Sequence, residues 1–504
     1  MRIGVPHAIL AALILLAVCA GFSDQRPPLE KSLQAGYQFN LKSDNATPEI
    51  APDAVHIIYW EKWNNFEGEA MQHCVNAFNA HSREALTSSD TKFRARFLSP
   101  SGQQIFVHLL SVTQVNQKTL LAVSGGIPPD VAGLWSRDVP NFARFNAALP
   151  LEDWLKRDGP AREEYQPPFW NMCVYDGKVF ALPTTPATVA LHWNKKLFRE
   201  AGLDPETPPR TIQELDAFNE KLTKLDADGK ITQMGFHPGE PGWWNYGWGN
   251  WFGGPHVSSD GRTLLLDSKE WLAAFNWLNG VAEKYGRDQV RSFRGGLGNF
   301  DSPQNAFISG KVAMVLQGVW MANFIRMYNP ALEWGAAPFP MPGGTAKDPV
   351  TLVQADVLIV PRGAAHPEEA WKFVRYVSSL GALDDPDAPL EGIEILCFYQ
   401  GKNTPFRKVS RAFSQKFQRQ YENEYIKVFM RLGESKNAQI EPVMPMWGEI
   451  RQAVASAYDE LMDKGNQPGH NPQEILSNLQ NRLQPKLDRE WARIDRERAA
   501  EEKP

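Results

Sequence analysis

Short runs rich in β-branched and aromatic residues alternate with amphipathic helical stretches along most of the chain. The first run, residues 54–60, suits a buried strand. Residues 67–80 place their apolar side chains on one helical face, and residues 93–98 are typical of a second strand. A strand–helix–strand opening is the unit of a parallel sheet with helices on its faces, so the pattern predicts an α/β fold.

The amino terminus is typical of an export signal. A short charged start leads into a continuous apolar run over residues 8–20, which the polar, proline-bearing stretch 23–28 closes. The run is shorter than the roughly 20 apolar residues of a membrane span and fits the about 7–15 residues of a signal-peptide core. We therefore expect a signal peptide at residues 1–20 and, because the next residues are polar and irregular, a linker at 21–52.

Two kinds of processing fit the end of this segment. The small residues before position 21 permit ordinary cleavage after Ala20. Residues 16–19 also resemble a bacterial lipoprotein signal, in which Cys19 is lipidated, although Val18 is larger than that pattern prefers. Both alternatives stay open, and both place the mature protein in the periplasm or another extracytoplasmic position, with a lipid anchor at Cys19 in the second case.

The composition is that of an ordinary globular protein, with 43% apolar and 22% charged residues. A net charge of −5 gives no reason to expect a nucleic-acid partner. Without Cys19 the chain keeps three cysteines: Cys74, Cys173 and Cys397. An odd number is not a disulfide framework, although two of the three could form one disulfide. No zinc-type ligand spacing occurs, so we expect no metal site and no cofactor. The unusual figure is 17 Trp in 504 residues, and because Trp is rarely fully buried, many should line surfaces or clefts.

Several short motifs follow one another in a fixed order. Residues 125–131 read Gly-Gly-Ile-Pro-Pro-Asp-Val, and residues 194–204 read Asn-Lys-Lys-Leu-Phe-Arg-Glu-Ala-Gly-Leu-Asp. Residues 307–314 read Phe-Ile-Ser-Gly-Lys-Val-Ala-Met, and residues 334–340 begin Trp-Gly and end Pro-Phe-Pro. Each motif is weak alone, but their order and spacing together resemble the bacterial extracellular solute-binding proteins of family 1, the group that includes maltose-binding protein.

The resemblance implies a two-lobed periplasmic-binding-protein type II fold, in which each lobe is a sheet flanked by helices and a hinge joins the lobes. It assigns residues 53–162 and 337–381 to lobe 1, and residues 165–335 and 382–500 to lobe 2. It also implies a monomer without enzymatic activity, which captures a mono- or oligosaccharide between the lobes and delivers it to an ABC permease in the cytoplasmic membrane. The sugar, its chain length and the role of residues 381–440 stay open.

Several candidate ligand contacts are aromatic and polar residues that follow predicted strands, because ligands of open α/β sheets bind beyond the carboxyl ends of the strands. Asp356 lies at a predicted strand start near the lobe junction, and the resemblance implies that Trp320 is an aromatic residue facing the sugar. Aromatic rings can stack on the C–H faces of a sugar, and charged side chains make strong hydrogen bonds to its hydroxyls. In the Trp- and Gly-rich segment 243–251 we expect one or two rings to face the ligand and the others to pack. The predicted ligand-binding residues are Trp60, Glu61, Trp63, Trp135, Arg137, Trp243, Trp244, Trp320 and Asp356; no catalytic residue is expected.

Two other classes of protein stay open. A secreted glycoside hydrolase would also be exported and rich in Trp, and would need two carboxylates about 5–9.5 Å apart, for which Glu61 and Glu240 are conceivable. A binding protein for a polyamine would need clustered acids, and one for iron would favour paired tyrosines. The density of Trp favours a sugar over these solutes.

Overall fold

The computed structural model describes residues 29, 49–344, 347–420 and 425–501. The predicted signal peptide, including Cys19 and Ala20, and most of the predicted linker lie outside these residues. No helix in the described part of the chain is long and apolar enough to cross a membrane.

Strands and helices alternate through the described residues, which confirms the predicted α/β class. The strands are β1 (Val55–Glu61), β2 (Ile105–Ser111), β3 (Val131–Trp135), β4 (Val174–Tyr175), β5 (Lys178–Val179), β6 (Leu182–Asn194), β7 (Lys224–Leu225), β8 (Ile231–Phe236), β9 (Val312–Gly318), β10 (Trp334–Ala337), β11 (Thr351–Ile359) and β12 (Ala438–Ile440). The helices of the first half are α1 (Asn65–Ala85), α2 (Thr91–Phe97), α3 (Val115–Ser124), α4 (Val139–Arg144), α5 (Glu152–Asp158), α6 (Pro167–Asn171), α7 (Lys195–Glu200), α8 (Ile212–Leu222) and α9 (Trp248–Trp251). Those of the second half are α10 (Lys269–Tyr285), α11 (Arg287–Gly295), α12 (Met321–Tyr328), α13 (Pro367–Val377), α14 (Ile393–Gln400), α15 (Arg411–Gln420), α16 (Tyr425–Glu434), α17 (Trp447–Lys464) and α18 (Pro472–Glu501).

One hydrogen-bonded network joins most strands in the order β2-β1-β3-β11-β6-β9-β8-β7. At one end β1 runs parallel to β2 and β3, and at the other end β8 runs parallel to β9. The two central strands, β6 and β11, are antiparallel to each other and to their outer neighbours β9 and β3. The parallel groups therefore lie on opposite sides of a central antiparallel pair, and the chain passes between the two sides through β6 and β11.

The buried apolar side chains form separate cores on the two sides. The first core takes its side chains from residues 57–182 and 353–417. Two further clusters take their buried apolar side chains from residues 189–352 and 425–487. Because partly buried side chains belong to both clusters, we name them together the second core. This division is what two lobes require, since each half buries its own apolar surface.

The packing divides the chain at points that differ from the predicted lobe bounds. Residues 165–182 and 382–417 contribute to the first core, although the prediction gives them to lobe 2. Residues 337–352 contribute to the second, although the prediction gives them to lobe 1. We propose on this basis that lobe 1 comprises about 53–182 and 353–417, and that lobe 2 comprises the intervening and following residues.

The predicted strand at residues 93–98 is wrong, because the segment forms α2. The side chain of Asp90 accepts hydrogen bonds from the backbone N–H groups of Lys92 and Phe93 and so caps the helix. Phe93 and Phe97 are apolar at both strand and helix spacing; here they lie one helical turn apart, with ring centres separated by 4.9 Å. The second strand is β2, which follows α2 and pairs in parallel with β1.

The cysteines of the described residues do not pair. Cys74, Cys173 and Cys397 are free thiols, and all three are buried. Burial raises the pKa of each thiol well above its ordinary value. The single disulfide that two of these three cysteines could have formed is therefore absent from the described part of the chain.

Candidate functional site

A cleft of about 490 Å³ lies between the two halves, where the carboxyl ends of β1 and β3 face the segments that follow β8 and β9. Its size is typical of small-molecule sites. Seven of the nine predicted ligand-binding residues line it: Trp63, Trp135, Arg137, Trp243, Trp244, Trp320 and Asp356. The remaining lining residues were not predicted: Lys62, Asn64, Glu67, Ala187, Phe300, Phe324, Gln354, Lys402 and Arg451.

One side of the cleft, which we name the charged wall, consists of Lys62, Trp63, Glu67, Trp135, Arg137, Asp356 and Lys402. Lys62 and Trp63 directly follow β1, and Arg137 follows β3. Trp135, the last residue of β3, lies opposite Asp356 of β11 in the antiparallel register. The sheet therefore brings together side chains that are more than 200 positions apart in sequence.

Two buried lysines hold the carboxylates of the charged wall. Lys62 Nζ lies 3.0 Å from Asp356 Oδ1 and 3.0 Å from Glu61 Oε1, and its side chain is 5% exposed. Lys402 Nζ lies 2.9 Å from Glu67 Oε1 and 3.9 Å from Asp356 Oδ2, and its side chain is 2% exposed. Ions removed from water to this extent must be paired, so these side chains fix one another in place.

The ionisation of the central pair follows from its surroundings. Burial disfavours charge on both Lys62 and Asp356, yet their mutual attraction outweighs it. The pKa of Lys62 is raised, since Asp356 and Glu61 overcome the lowering by burial. The pKa of Asp356 is lowered, since Lys62 and Lys402 overcome the raising by burial, and Thr185 donates a hydrogen bond of 2.8 Å to its Oδ2. Both groups are therefore charged at neutral pH.

The other two predicted residues, Trp60 and Glu61, do not line the cleft. Glu61 is 1% exposed and accepts hydrogen bonds from the hydroxyl of Tyr59 and from the backbone N–H and Nζ of Lys62. Its carboxylate occupies space that a side chain at Gly133 would fill, because a Cβ there would lie 1.9 Å from Glu61 Oε2. Successive strand residues point to opposite faces, and Trp60 packs partly buried against the first core.

The opposite side of the cleft, which we name the aromatic wall, consists of Trp243, Trp244, Phe300, Trp320 and Phe324. The Trp320 ring centre lies 6.2 Å from those of Trp243 and Trp244, and Phe300 contacts Trp243 at 4.6 Å and Phe324 at 4.9 Å. The rings meet tilted or edge to face, which is the geometry that aromatic pairs prefer.

The two halves of the Trp-rich segment 243–251 have different roles. Trp243 is 43% exposed and lines the cleft with Trp244, whereas Trp248 and Trp251 are fully buried in the second core. Two of the four rings therefore line the cleft, and the expectation that one or two of them face the ligand stays a prediction.

Close approach to the backbone holds Trp320 at the cleft. Trp320 lies two residues after the end of β9 and directly before α12. A Cβ at Gly318 would lie 2.2 Å from carbons of its ring, so only glycine leaves room for the indole.

Two lining residues of the cleft, Gln354 and Arg451, belong to a group of polar residues that contact one another. The amide nitrogen of Gln354 donates to the hydroxyl of Tyr246 at 3.0 Å and to the carboxylate of Glu441. Arg451 Nε lies 3.5 Å from Glu441 Oε2, and its guanidinium lies 4.4 Å from the centre of the Tyr246 ring. Trp447 also donates to Glu441, at 2.5 Å. Two hydrogen-bond donors and one ion pair thus hold Glu441, which is not itself among the described lining residues of the cleft.

The three cationic lining residues that the sequence did not reveal, Lys62, Lys402 and Arg451, fall into two groups. Lys62 is adjacent to Glu61 and Trp63, both of which were predicted, so the strand-end argument could have included it. Lys402 and Arg451 come from distant segments without a recognisable motif; their lysine and arginine types are common on any surface, and only the fold brings them to the cleft.

Comparison with known proteins agrees with this architecture. Residues 107–382 match the family described as bacterial extracellular solute-binding protein. Binding proteins of Brucella abortus and Brucella suis are 25% identical over 269 residues, which cover 52% of this chain but 61% of theirs, so the match spans about three fifths of these relatives.

Two further likenesses extend over more of the chain. The maltotriose-binding protein of Pyrococcus abyssi is 22% identical over 378 residues, which cover 71% of this chain and 73% of that protein. The solved structure of CpMnBP1 with mannotriose bound superposes with a TM-score of 0.66 and 27% identity, over 85% of this chain and 99% of that one. The predicted two-lobed fold is thereby confirmed.

Proposed function

This chain belongs to the bacterial extracellular solute-binding proteins, and on that premise we propose that it is the carbohydrate-binding subunit of an ABC import system. The observation that carries the proposal is the cleft itself, in which aromatic rings face charged and amide side chains across about 490 Å³. Rings suit the C–H faces of a sugar, and the polar groups suit its hydroxyls. Relatives named for maltotriose binding or solved with mannotriose support an oligosaccharide.

Family membership implies an extracytoplasmic location. We expect the monomeric protein to hold its sugar between the lobes and to present the closed form to a permease in the cytoplasmic membrane. A ligand that contacts both walls favours the closed arrangement, because only that arrangement makes both sets of contacts. Mass spectrometry of the exported protein separates the two processing routes, since cleavage after Ala20 and lipidation at Cys19 give different amino termini.

The alternative functions find less support in the cleft. Glu61 and Glu240, the conceivable hydrolase pair, are both absent from its described lining. Among the described lining residues there is also no tyrosine that could bind iron, and both carboxylates, Glu67 and Asp356, already pair with lysines rather than standing free for a polyamine.

A thermal-shift screen against neutral and acidic mono-, di- and trisaccharides tests the proposal. A sugar at 100 times its dissociation constant should stabilise the protein by about 2.7 kcal/mol. Spermidine and ferric citrate serve as probes of the other solute classes, and sugar release from glycans is followed in parallel. Stabilisation by a sugar without hydrolysis supports the proposal; hydrolysis, or stabilisation only by spermidine or ferric citrate, contradicts it.

A further inference from the structure

The charged wall offers a ligand an excess of hydrogen-bond donors. Its two carboxylates, Glu67 and Asp356, already accept bonds from protein groups, and only the second oxygen of Glu67 stays without a described partner. A neutral sugar hydroxyl both donates and accepts, so each buried hydroxyl needs an acceptor as well as a donor. Few acceptors in this wall are left to satisfy such hydroxyls.

The most available donor in the cleft is Arg137. Among the described residues its guanidinium makes no hydrogen bond and no ion pair, and its carbon lies 4.6 Å from the centre of the Trp135 ring. A guanidinium has five donors in a rigid fork. A contact between the guanidinium and the face of an indole uses none of the N–H donors, so they stay available to a ligand.

Arg451 adds a second guanidinium to the same part of the cleft. Arg137 and Arg451 both line the main cleft and both line a neighbouring cavity of about 350 Å³. Both also act on the Tyr246 hydroxyl, whose pKa is raised by burial and by Glu441 but lowered by Arg451 and Arg137. The two positive charges therefore act on one region, at the junction between the two cavities.

We propose, on the basis of the carbohydrate-binding function, that the ligand is an acidic saccharide whose carboxylate or sulfate group binds Arg137, with Arg451 beside it. Such a group only accepts hydrogen bonds, and its planar or tetrahedral oxygens match the fork of a guanidinium in a bidentate contact. Its charge attracts a guanidinium that makes no close ion pair among the described residues and whose nearby carboxylate is that of Asp138, the pKa of which burial raises and Arg137 lowers. The unit that carries the acid lies on the main-cleft side of the junction, because four carboxylates also line the second cavity: Asp138, Glu441, Glu449 and Glu490.

Isothermal titration calorimetry of the mature protein tests this inference with matched saccharides. Trigalacturonate and its methyl ester form the carboxylate pair, neocarrabiose sulfate and neocarrabiose form the sulfate pair, and mannotriose and maltotriose are further neutral probes. We expect the acidic member of at least one pair to bind at least tenfold more tightly, with affinity that falls as salt rises. The pair that shows the difference identifies the acid.

The Arg137→Gln substitution should weaken binding of the acidic saccharide of a pair by a factor at least ten times larger than the factor for the neutral saccharide. Arg137→Lys, which keeps the charge but loses the fork, should fall between. Arg291→Gln is the control, because that side chain is 61% exposed and lies outside the cleft. If neutral saccharides bind as tightly as acidic ones, the inference is overturned while the carbohydrate function stands. If no saccharide of either kind binds, both are overturned.

Discussion

The charged wall and the aromatic wall face the same cleft but are held in place by different forces. In the charged wall, Lys62 and Lys402 are almost fully buried and each is paired with a carboxylate. In the aromatic wall the rings touch through tilted and edge contacts, and Trp243 leaves 43% of its surface exposed. A paired buried ion cannot lose its partner without leaving a charge in the interior, whereas an exposed ring can be removed at little cost. The paired ions of the charged wall, Lys62 and Lys402, should therefore govern stability, whereas the rings of the aromatic wall should contribute to affinity with little effect on stability.

The largest expected effect is on the charged wall. Lys62→Met leaves Asp356 and Glu61 buried without their shared cation, and should lower the free energy of unfolding by about 3–5 kcal/mol. Urea unfolding at pH 7 measures the change. Lys269→Met is the matched control, because that side chain is 90% exposed and should change stability by less than about 0.5 kcal/mol. A loss below about 1 kcal/mol for Lys62→Met would show that the buried pairs do not hold this wall.

The next effect is on the aromatic wall. Trp320→Ala removes the ring that contacts both Trp243 and Trp244, and should weaken sugar binding by about 2 kcal/mol, or roughly thirtyfold. Calorimetry gives the affinity, and urea unfolding separates it from any loss of stability. Trp491→Ala, on α18 outside the cleft, should leave the affinity unchanged. Unchanged affinity for Trp320→Ala would remove this ring from the site.

A titratable group three residues before Trp243, outside the described lining of the cleft, should make the stability of the protein sensitive to pH. Burial raises the pKa of Glu240 to about 7, although Arg294 lowers it. The folded pKa exceeds the unfolded one, so the contribution of Glu240 to stability is present below about pH 4.5 and is lost as the pH rises through 7. The glutamine in Glu240→Gln does not ionise. The free energy of unfolding of this variant, relative to that of the unmodified protein, should therefore rise by about 1–2 kcal/mol from pH 4 to pH 8, after allowance for the partial exposure of Glu240.

Unfolding at both pH values measures this gain. Glu270→Gln, a change at a partly exposed carboxylate paired with Lys269 on the surface, is the control and should show no comparable change with pH. If Glu240→Gln and the unmodified protein respond to pH alike, the raised pKa is not coupled to folding.

The smallest effect is expected at the rim of the aromatic wall. Trp243→Ala removes an exposed ring, and should weaken sugar binding by about 1 kcal/mol, or roughly fivefold, with little change in stability. Calorimetry and thermal unfolding measure the two quantities. If this variant loses as much stability as Lys62→Met, the hypothesis that the paired ions govern stability and the exposed rings contribute only to affinity is wrong.

The aromatic wall was easier to predict from the sequence than the charged wall. Trp is rare, Trp243 and Trp244 stand in an unusual Gly-rich segment, and the family resemblance indicated Trp320, so these residues pointed to the cleft. Phe300 and Phe324 were missed because Phe is a common core residue in any fold.

The charged wall depends on contacts between distant segments. Glu61 was predicted from its place just after the first predicted strand, at residues 54–60, but it is the last residue of β1, and its carboxylate lies in the interior beside Gly133 and Lys62. Lys402 comes from the segment 381–440, whose role the sequence left open. The α/β class could be derived from the alternation of predicted strands and helices. The strand predicted at 93–98 was wrong because the spacing of Phe93 and Phe97 fits both a strand and a helix, and the capping side chain of Asp90 favours the helix.

The buried, unpaired thiols bear on how the protein can be made and used. The described part of the chain contains no disulfide, so its folding needs no oxidising machinery. The protein should therefore be obtainable by expression in a reducing cytoplasm. The three thiols are also shielded from reagents, because only the thiolate reacts and burial suppresses it. A cysteine placed at position 243 would then be the accessible thiol of the described residues, and a dye attached there would turn the protein into an optical sensor for its own ligand.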